Sequence, residues 1–457
     1  MNPADLNSTS VPLLRNQNIT QKNNRQWKNF IKHCYILITI LVLSAPIAFS
    51  LSKLIMVARH KSPTVSNLIR VFIPSSKKLK TTTEKNLPTT KQLFKYSTET
   101  IFPPAALCGK RIVGYFAEFE NTALTRKQLQ MLTHIIYLFA IPKNGNMTFG
   151  GERSRRKFEE MKNEARKANS TLKVMISIGG QSNSRSFSRL VSNETSRNVF
   201  VNSIVSFVQK YDIDGIEIFW TWPKYEDANN YLIFIQELRY AFIELQKKLN
   251  RKEDYVISII VNCYDNQLSN LMGFSKFVDF FNIYSIHYQS RQVGPSSPLY
   301  GGGSRNIDET MKYYICRTGQ PSKFNMMVLF HGTFWKGAEL PLRNDSDDIF
   351  KDQNSAKGGF AVRWRELLQQ KWDMSNIKFH NLTKTSYMWI PGSSLFLTLE
   401  DEQSLRVKNR YVADHNIGGI TMWTIDQDDG DHTLLKVVSS AELCTGDEKN
   451  TIKFKCE

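Results

Sequence analysis

From Arg111 onward, apolar residues arrive in short runs separated by longer amphipathic stretches. Eight runs have strand length: 111–119, 134–142, 172–180, 215–220, 255–263, 277–286, 326–332 and 418–425. Between them, segments such as 196–211 and 227–249 place apolar positions at helical spacing. Strands alternating with helices predict an α/β protein with a parallel sheet. One such series over about 340 residues fits a (β/α)8 barrel. The alternative, a doubly wound open sheet, lacks the G-x-G-x-x-G expected after its first strand. The interval between Gly332 and Gly418 is too long for one connection. It predicts a final barrel helix or two plus a small insertion within about 336–390.

The first hundred residues follow another pattern. Cys34 to Ser52 is an uncharged, mostly apolar run of 19 residues, close to the ~20 that cross a bilayer as a helix. Its polar leader is long for a cleaved signal, and Pro46 falls where a cleavage site wants small residues, so a single-pass anchor is the expectation. Basic residues flank both ends and discriminate little between orientations. A cytosolic N-terminus (type II) is chosen because it puts the bulk of the chain on the lumenal or extracellular side. Residues 53–104, rich in Ser, Thr, Lys and Pro, read as a flexible stalk. The expected organisation is a basic tail (1–33), transmembrane helix (34–52), stalk (53–104), barrel (105–445) and C-terminal tail (446–457).

Charge follows this division. Residues 1–104 carry 15 Lys/Arg against 3 Asp/Glu, and the remainder 45 against 39. The basic excess belongs mainly to the N-terminal quarter rather than to a folded face, which argues against nucleic acid as a partner. With Cys34 in the apolar run, five cysteines remain, so at least one is unpaired within the monomer. A bridge between Cys444 and Cys456 across the polar tail is expected. Glycosylation sequons occur at Asn146, Asn169, Asn193, Asn344 and Asn381. The histidines show no metal-ligand spacing, Gly301–Gly303 lacks the G-K-[ST] of a phosphate loop, and the acids at 426–431 lack the Glu of a calcium loop. Neither a metal nor a cofactor is expected.

The chemistry concentrates at 212–223, Asp-Ile-Asp-Gly-Ile-Glu-Ile-Phe-Trp-Thr-Trp-Pro. On a strand, Glu217, Phe219 and Thr221 share one face and Ile216, Ile218 and Trp220 the other. The apolar set suits the layer between barrel and helices. The other set would line the interior and end at the C-terminal mouth, where barrel enzymes hold their chemistry.

This stretch resembles the D-G-x-D-x-D-x-E strand of glycoside hydrolase family 18. Residues 133–140, 172–180, 296–302 and 396–429 are similar to other motifs of that family, in the right order, so the resemblance covers roughly 108–445. It implies that Asp214, Glu217, Phe219 and Thr221 stand at the motif positions. Thr221 then replaces the proton donor, and Phe219 the acid that orients the substrate's N-acetyl group. Losing a positioned general acid typically costs roughly 10²–10⁴-fold in rate. Glu217 would lie two strand steps deeper, read as a buried carboxyl satisfied by its neighbours. In the sixth-strand M-x-Y-D motif, Tyr284, Ser285, Ile286 and His287 stand instead. The resemblance further implies substrate contacts from Trp222, Trp423, Tyr284, Gly179, Gly180 and Gln181. The resulting expectation is a membrane-anchored, catalytically inactive chitinase-like protein that binds chitin or other N-acetylglucosamine-containing glycans at the barrel mouth. The alternatives are a weak hydrolase with a relocated acid, or a structural or signalling ectodomain without sugar binding.

Overall fold

The computed structural model describes residues 108–456 apart from 264–267, 269, 289–292, 296, 302–304, 339–356, 370–371 and 445–450. The expected tail, membrane run and stalk (1–104) lie outside the described residues. Among the described residues, no helix is long and apolar enough to cross a membrane.

Strands occur in the order β1 (Arg111–Ala117), β2 (His134–Lys143), β3 (Asn146–Phe149), β4 (Lys173–Gly179), β5 (Gly215–Phe219), β6 (Val256–Asn262), β7 (Phe280–Tyr284) and β8 (Phe324–Leu329). They are followed by β9 (His331–Lys336), β10 (Lys357–Arg363), β11 (Lys378–His380), β12 (Thr385–Ile390), β13 (Leu395–Leu399) and β14 (Gly419–Trp423). Eight of them run parallel in the order β1-β14-β8-β7-β6-β5-β4-β2, and β1 pairs with β2 to close the barrel. These are the eight runs marked by the apolar pattern. Strand β3 turns back antiparallel on β2.

The alternation on β5 sorts its side chains as its sequence requires. Ile216, Ile218 and Trp220 belong to the layer between barrel and helices, where Trp220 stacks on Phe187 at 5.2 Å. Phe219 belongs to a separate interior cluster with Tyr115, Leu138, Met327 and Leu329. Gly215 starts the strand because no side chain fits there: a Cβ would lie 2.2 Å from the Val256 carbonyl oxygen. The two helices flanking β5, Glu194–Tyr211 and Ala228–Lys248, match the amphipathic segments. The first is capped by Asn193, whose side chain accepts from the Ser196 N–H.

Between β8 and β14 the chain inserts a five-stranded antiparallel sheet, ordered β10-β9-β13-β12-β11. It spans His331–Leu399, wider at both ends than the expected 336–390, and one helix, Glu402–Asp414, then leads back to the barrel. The insertion begins earlier than expected because β9 follows β8 after a single residue, so that the two strands merge into one apolar run.

The cysteine expectation needs correcting. Cys444 bridges to Cys108 and Cys456 to Cys316, so the two C-terminal cysteines tie different parts of the barrel instead of pairing with each other. Proximity in sequence was the wrong guide, because residues 451–456 run back along the barrel. There the Ile452 N–H donates to the Asp414 carbonyl and Phe454 stacks on His415. Cys263 is free and buried. Asn146, Asn193 and Asn381 are exposed, Asn169 is half-buried, and Asn344 lies outside the described residues.

Candidate functional site: a cleft at the barrel mouth

The C-terminal ends of β4, β5, β7 and β14 border a cleft of about 500 Å³. Gly179, Gly180, Gln181, Trp222, Tyr284 and Trp423 all line it, together with Phe219 and Thr221. Residues scattered over 245 positions of sequence are thus gathered at one mouth. Trp423 packs edge-on to Tyr115 at 5.4 Å and tilts against Phe219 at 5.9 Å. Trp222 meets Tyr284 at 5.6 Å, edge to face. Gly180 has φ +81°, and a Cβ there would lie 2.9 Å from the Phe139 ring. The tight wall therefore depends on a glycine at this position.

The four motif positions have separate surroundings. Asp214 sits below the strand, where its carboxylate accepts from the Val174 N–H at 2.7 Å and pairs with Arg166 and Arg251 at 2.8 and 2.6 Å. Burial pushes its pKa up, but these hydrogen bonds outweigh burial and leave it below the ordinary range. It fastens the N-terminal face of the barrel, a position that reads as stability.

Glu217 is fully buried in the barrel interior. Its Oε1 accepts from Tyr115 Oη at 2.7 Å and Asn282 Nδ2 at 2.6 Å, and its Oε2 from Ser177 Oγ at 2.8 Å. Asn282 in turn accepts from Thr421 and Asn325. Burial raises the Glu217 pKa against the pull of the three donors. Glu217 is absent from the cleft lining and serves as the hub of an internal polar layer. Phe219, 3% exposed, roofs that layer and forms the apolar cleft floor. Thr221 is half-buried at the rim, where its N–H donates to Ser184 Oγ at 2.8 Å and the two hydroxyls lie 3.2 Å apart.

Four further lining residues escaped sequence reasoning: Phe119, Phe139, Ser182 and Asn183. Phe119 was findable, because it continues the inward alternation of Val113, Tyr115 and Ala117 beyond the end of β1. Phe139 was not, since β2 shifts register between Leu138 and Ala140 and breaks the period of two. Phe119, Phe139 and Asn183 also border a second hollow of about 490 Å³, so the groove continues past the cleft. A hollow of about 470 Å³ beside β3 lies on the outside of the barrel and meets none of these residues.

The acids after β14 have structural work. Asp428 accepts from the N–H groups of Leu434 and Leu435, capping the helix Thr433–Val438, and Asp429 accepts from the Thr433 N–H. Among the described residues, no three metal-ligating side chains converge.

A parallel eight-stranded barrel with an antiparallel insertion before its last strand and an aromatic cleft at its mouth places the chain among the (β/α)8 barrels. The chain belongs to glycosyl hydrolases family 18, whose profile matches residues 111–428. It is 24% identical over 320 residues to human chitinase-3-like protein 2, covering 65% of this chain and 80% of that protein. It is also 24% identical over 333 residues to probable chitinase 2 of Drosophila melanogaster, covering 65% and 66%. Among solved structures, it is similar to human YKL-39, a pseudo-chitinase with retained chitooligosaccharide binding properties (TM-score 0.63, 21% identity, 73% of this chain and 99% of that one). It is equally similar to the family 18 N-acetylglucosaminidase of Paenibacillus barengoltzii (TM-score 0.63, 21% identity, 73% and 99%). At these identities the structural likeness establishes the fold.

Proposed function

We propose that the protein is a catalytically inactive member of its family that binds chitin-type or other N-acetylglucosamine-containing glycans in the mouth cleft. One observation carries the inactivity: the only carboxyl on β5, Glu217, is fully buried and held by three donors beneath Phe219. A general acid must come within hydrogen-bond reach of the proton's destination, and a phenylalanine ring stands between. Thr221, at the rim, has no group that titrates near neutral pH. The binding half of the proposal is supported by the aromatic walls. Trp222, Tyr284, Trp423, Phe119 and Phe139 offer faces for the C–H surfaces of sugar rings, and Gln181, Ser182 and Asn183 offer amides and a hydroxyl for sugar hydroxyls.

The membrane anchor belongs to the same proposal. The apolar run 34–52 supports it, and two disulfides suit an oxidising lumenal or extracellular side for the barrel. The glycan reading is tested by retention of the full-length protein on insoluble chitin, with Trp423→Ala as control. Retention of the wild type alone is the expected result. Equal retention of both would take binding away from the cleft, and retention of neither would favour a scaffold without sugar binding.

A further inference from the structure

Beside the cleft, the barrel mouth meets the insertion sheet through a chain of polar groups, buried at Glu120, His331 and Gln427 and half-buried at His287, Arg363 and Arg365, that ligand contact does not explain. His287, just past β7, stacks on His331 at the start of β9, with ring centroids 5.6 Å and planes 28° apart. His331 Nδ1 lies 2.9 Å from Gln427 Oε1, and Gln427 Nε2 donates to Glu120 Oε1 at 3.2 Å. Arg363 Nε donates to both Glu120 oxygens at 2.8 Å, and Arg365 donates to Oε2 at 2.8 Å. Glu120 and Gln427 belong to the barrel mouth; His331, Arg363 and Arg365 belong to the insertion. On its other side His287 lies 6.3 Å from Tyr284, a cleft wall.

We infer that this chain is an acid-sensitive latch: protonation of the His287–His331 pair loosens the insertion sheet from the barrel mouth and weakens ligand binding in the cleft. The effect on binding rests on the glycan reading above; the latch itself does not. An amide oxygen only accepts, so the closed latch needs the His331 proton on Nδ1. A further proton on either ring puts a cation against its stacked neighbour, and at His331 burial and Arg363 oppose that cation more strongly than Glu120 and the Gln427 hydrogen bond favour it. Glu120 is the carboxylate in the chain, and both its oxygens are engaged by the arginines. Tyr284, and Cys263 behind it, offer His287 no charge in acid, burial holding that thiol up at about 12.

The direction follows from linkage. Burial, with His331 adding to it, lowers His287 to about 4, and burial lowers His331 as well. The closed latch therefore binds fewer protons than the open one. Its closure is complete above the ordinary histidine value, about 6.5, and is lost progressively as pH falls toward 4. Asp426 and Asp428, raised by burial to about 6 and about 7, titrate in the same window with the opposite sign. A comparison with a variant that keeps them isolates the histidines.

The test measures amide exchange protection of β9 and β10 relative to β4 in the full-length protein at about pH 7 and about pH 4.5, within the histidine window. Protein with His287→Asn/His331→Gln is measured alongside, asparagine being chosen for the left-handed backbone at 287 (φ 56°). Single His331→Gln serves if the double variant does not fold. Relative protection of the wild type is expected to fall by about ten-fold or more, the effect of one unit of relieved shift, and that of the variant by less than about two-fold. Equal protection at both pH values, or the same fall in the variant, overturns the latch. Affinity for tetra-N-acetylchitotetraose, measured in parallel, should weaken in acid for the wild type only. An unchanged affinity despite lost protection overturns the coupling to the cleft. No binding even at neutral pH defeats the glycan reading, and the exchange data then decide the latch alone.

Discussion

Glu217 and Gly180 show how single positions divide stability from binding. Glu217 occupies a motif position yet faces the sealed interior, and burial raises its pKa. A raised carboxyl contributes stability below its unfolded value, about 4.5, and loses that contribution as pH rises through its folded value. The Glu217→Gln protein should therefore lose less stability between about pH 4.5 and 8 than the wild type. The difference should be about 1.4 kcal/mol for each unit of the shift, read from denaturant midpoints across pH; parallel pH profiles would show that the carboxyl is not perturbed. Gly180→Ala should destabilise by about 1–2 kcal/mol, through positive φ and collision with Phe139, and should weaken glycan binding by displacing that wall. Binding unchanged at full occupancy would remove Phe139 from the site. At this scale the sequence reveals residue type and face, because alternation is local. It does not reveal the partners of a buried carboxyl. Tyr115, Ser177 and Asn282 come from three other strands.

Among the elements, β5 was legible because both its faces obey one rule: apolar toward the helices, family motif toward the interior. The insertion was legible only as an over-long interval. Its five strands pair across the sheet in the order β10-β9-β13-β12-β11, and that order depends on contacts that no local period encodes. The sheet's attachment is more specific than its strands. Arg363 pairs with Glu120, which is 2% exposed, and Trp364 Nε1 donates to Asp429 at 2.9 Å. Replacing Arg363 with Met leaves a buried carboxylate with Arg365 as its one remaining ionic partner among the described residues. Because Arg363 is partly exposed and Gln427 also still donates to Glu120, the cost should be about 1.5–2 kcal/mol, that of hydrogen bonds to a charged group, in equilibrium unfolding. A loss below about 0.5 kcal/mol, the size of an exposed pair, would show that Glu120 relaxes to solvent when the sheet moves.

For the whole molecule, eight runs announce the barrel, but its closure and fastening come from distant residues. The Cys108–Cys444 bridge joins positions 336 apart, before β1 and after the helix that follows β14. Cys316–Cys456 draws the C-terminal segment back onto the barrel. Spacing suggested a local loop at Cys444 and Cys456, and connectivity could not be deduced without the fold. Removing the longer bridge by Cys108→Ser/Cys444→Ser should cost roughly 3–5 kcal/mol, given the length of the loop it closes, measured by chemical denaturation under non-reducing conditions. A negligible change would mean that the bridge does not constrain the unfolded chain.

The central claim is a cleft that keeps its grip on sugar without the acid for hydrolysis. Equilibrium dialysis of the full-length protein against tetra-N-acetylchitotetraose, with the sugar on both sides resolved by chromatography, tests both halves together. The account predicts that intact tetrasaccharide accumulates on the protein side and that Trp423→Ala abolishes the accumulation. Shorter sugars appearing in proportion to the wild-type protein, or no accumulation at all, would contradict it.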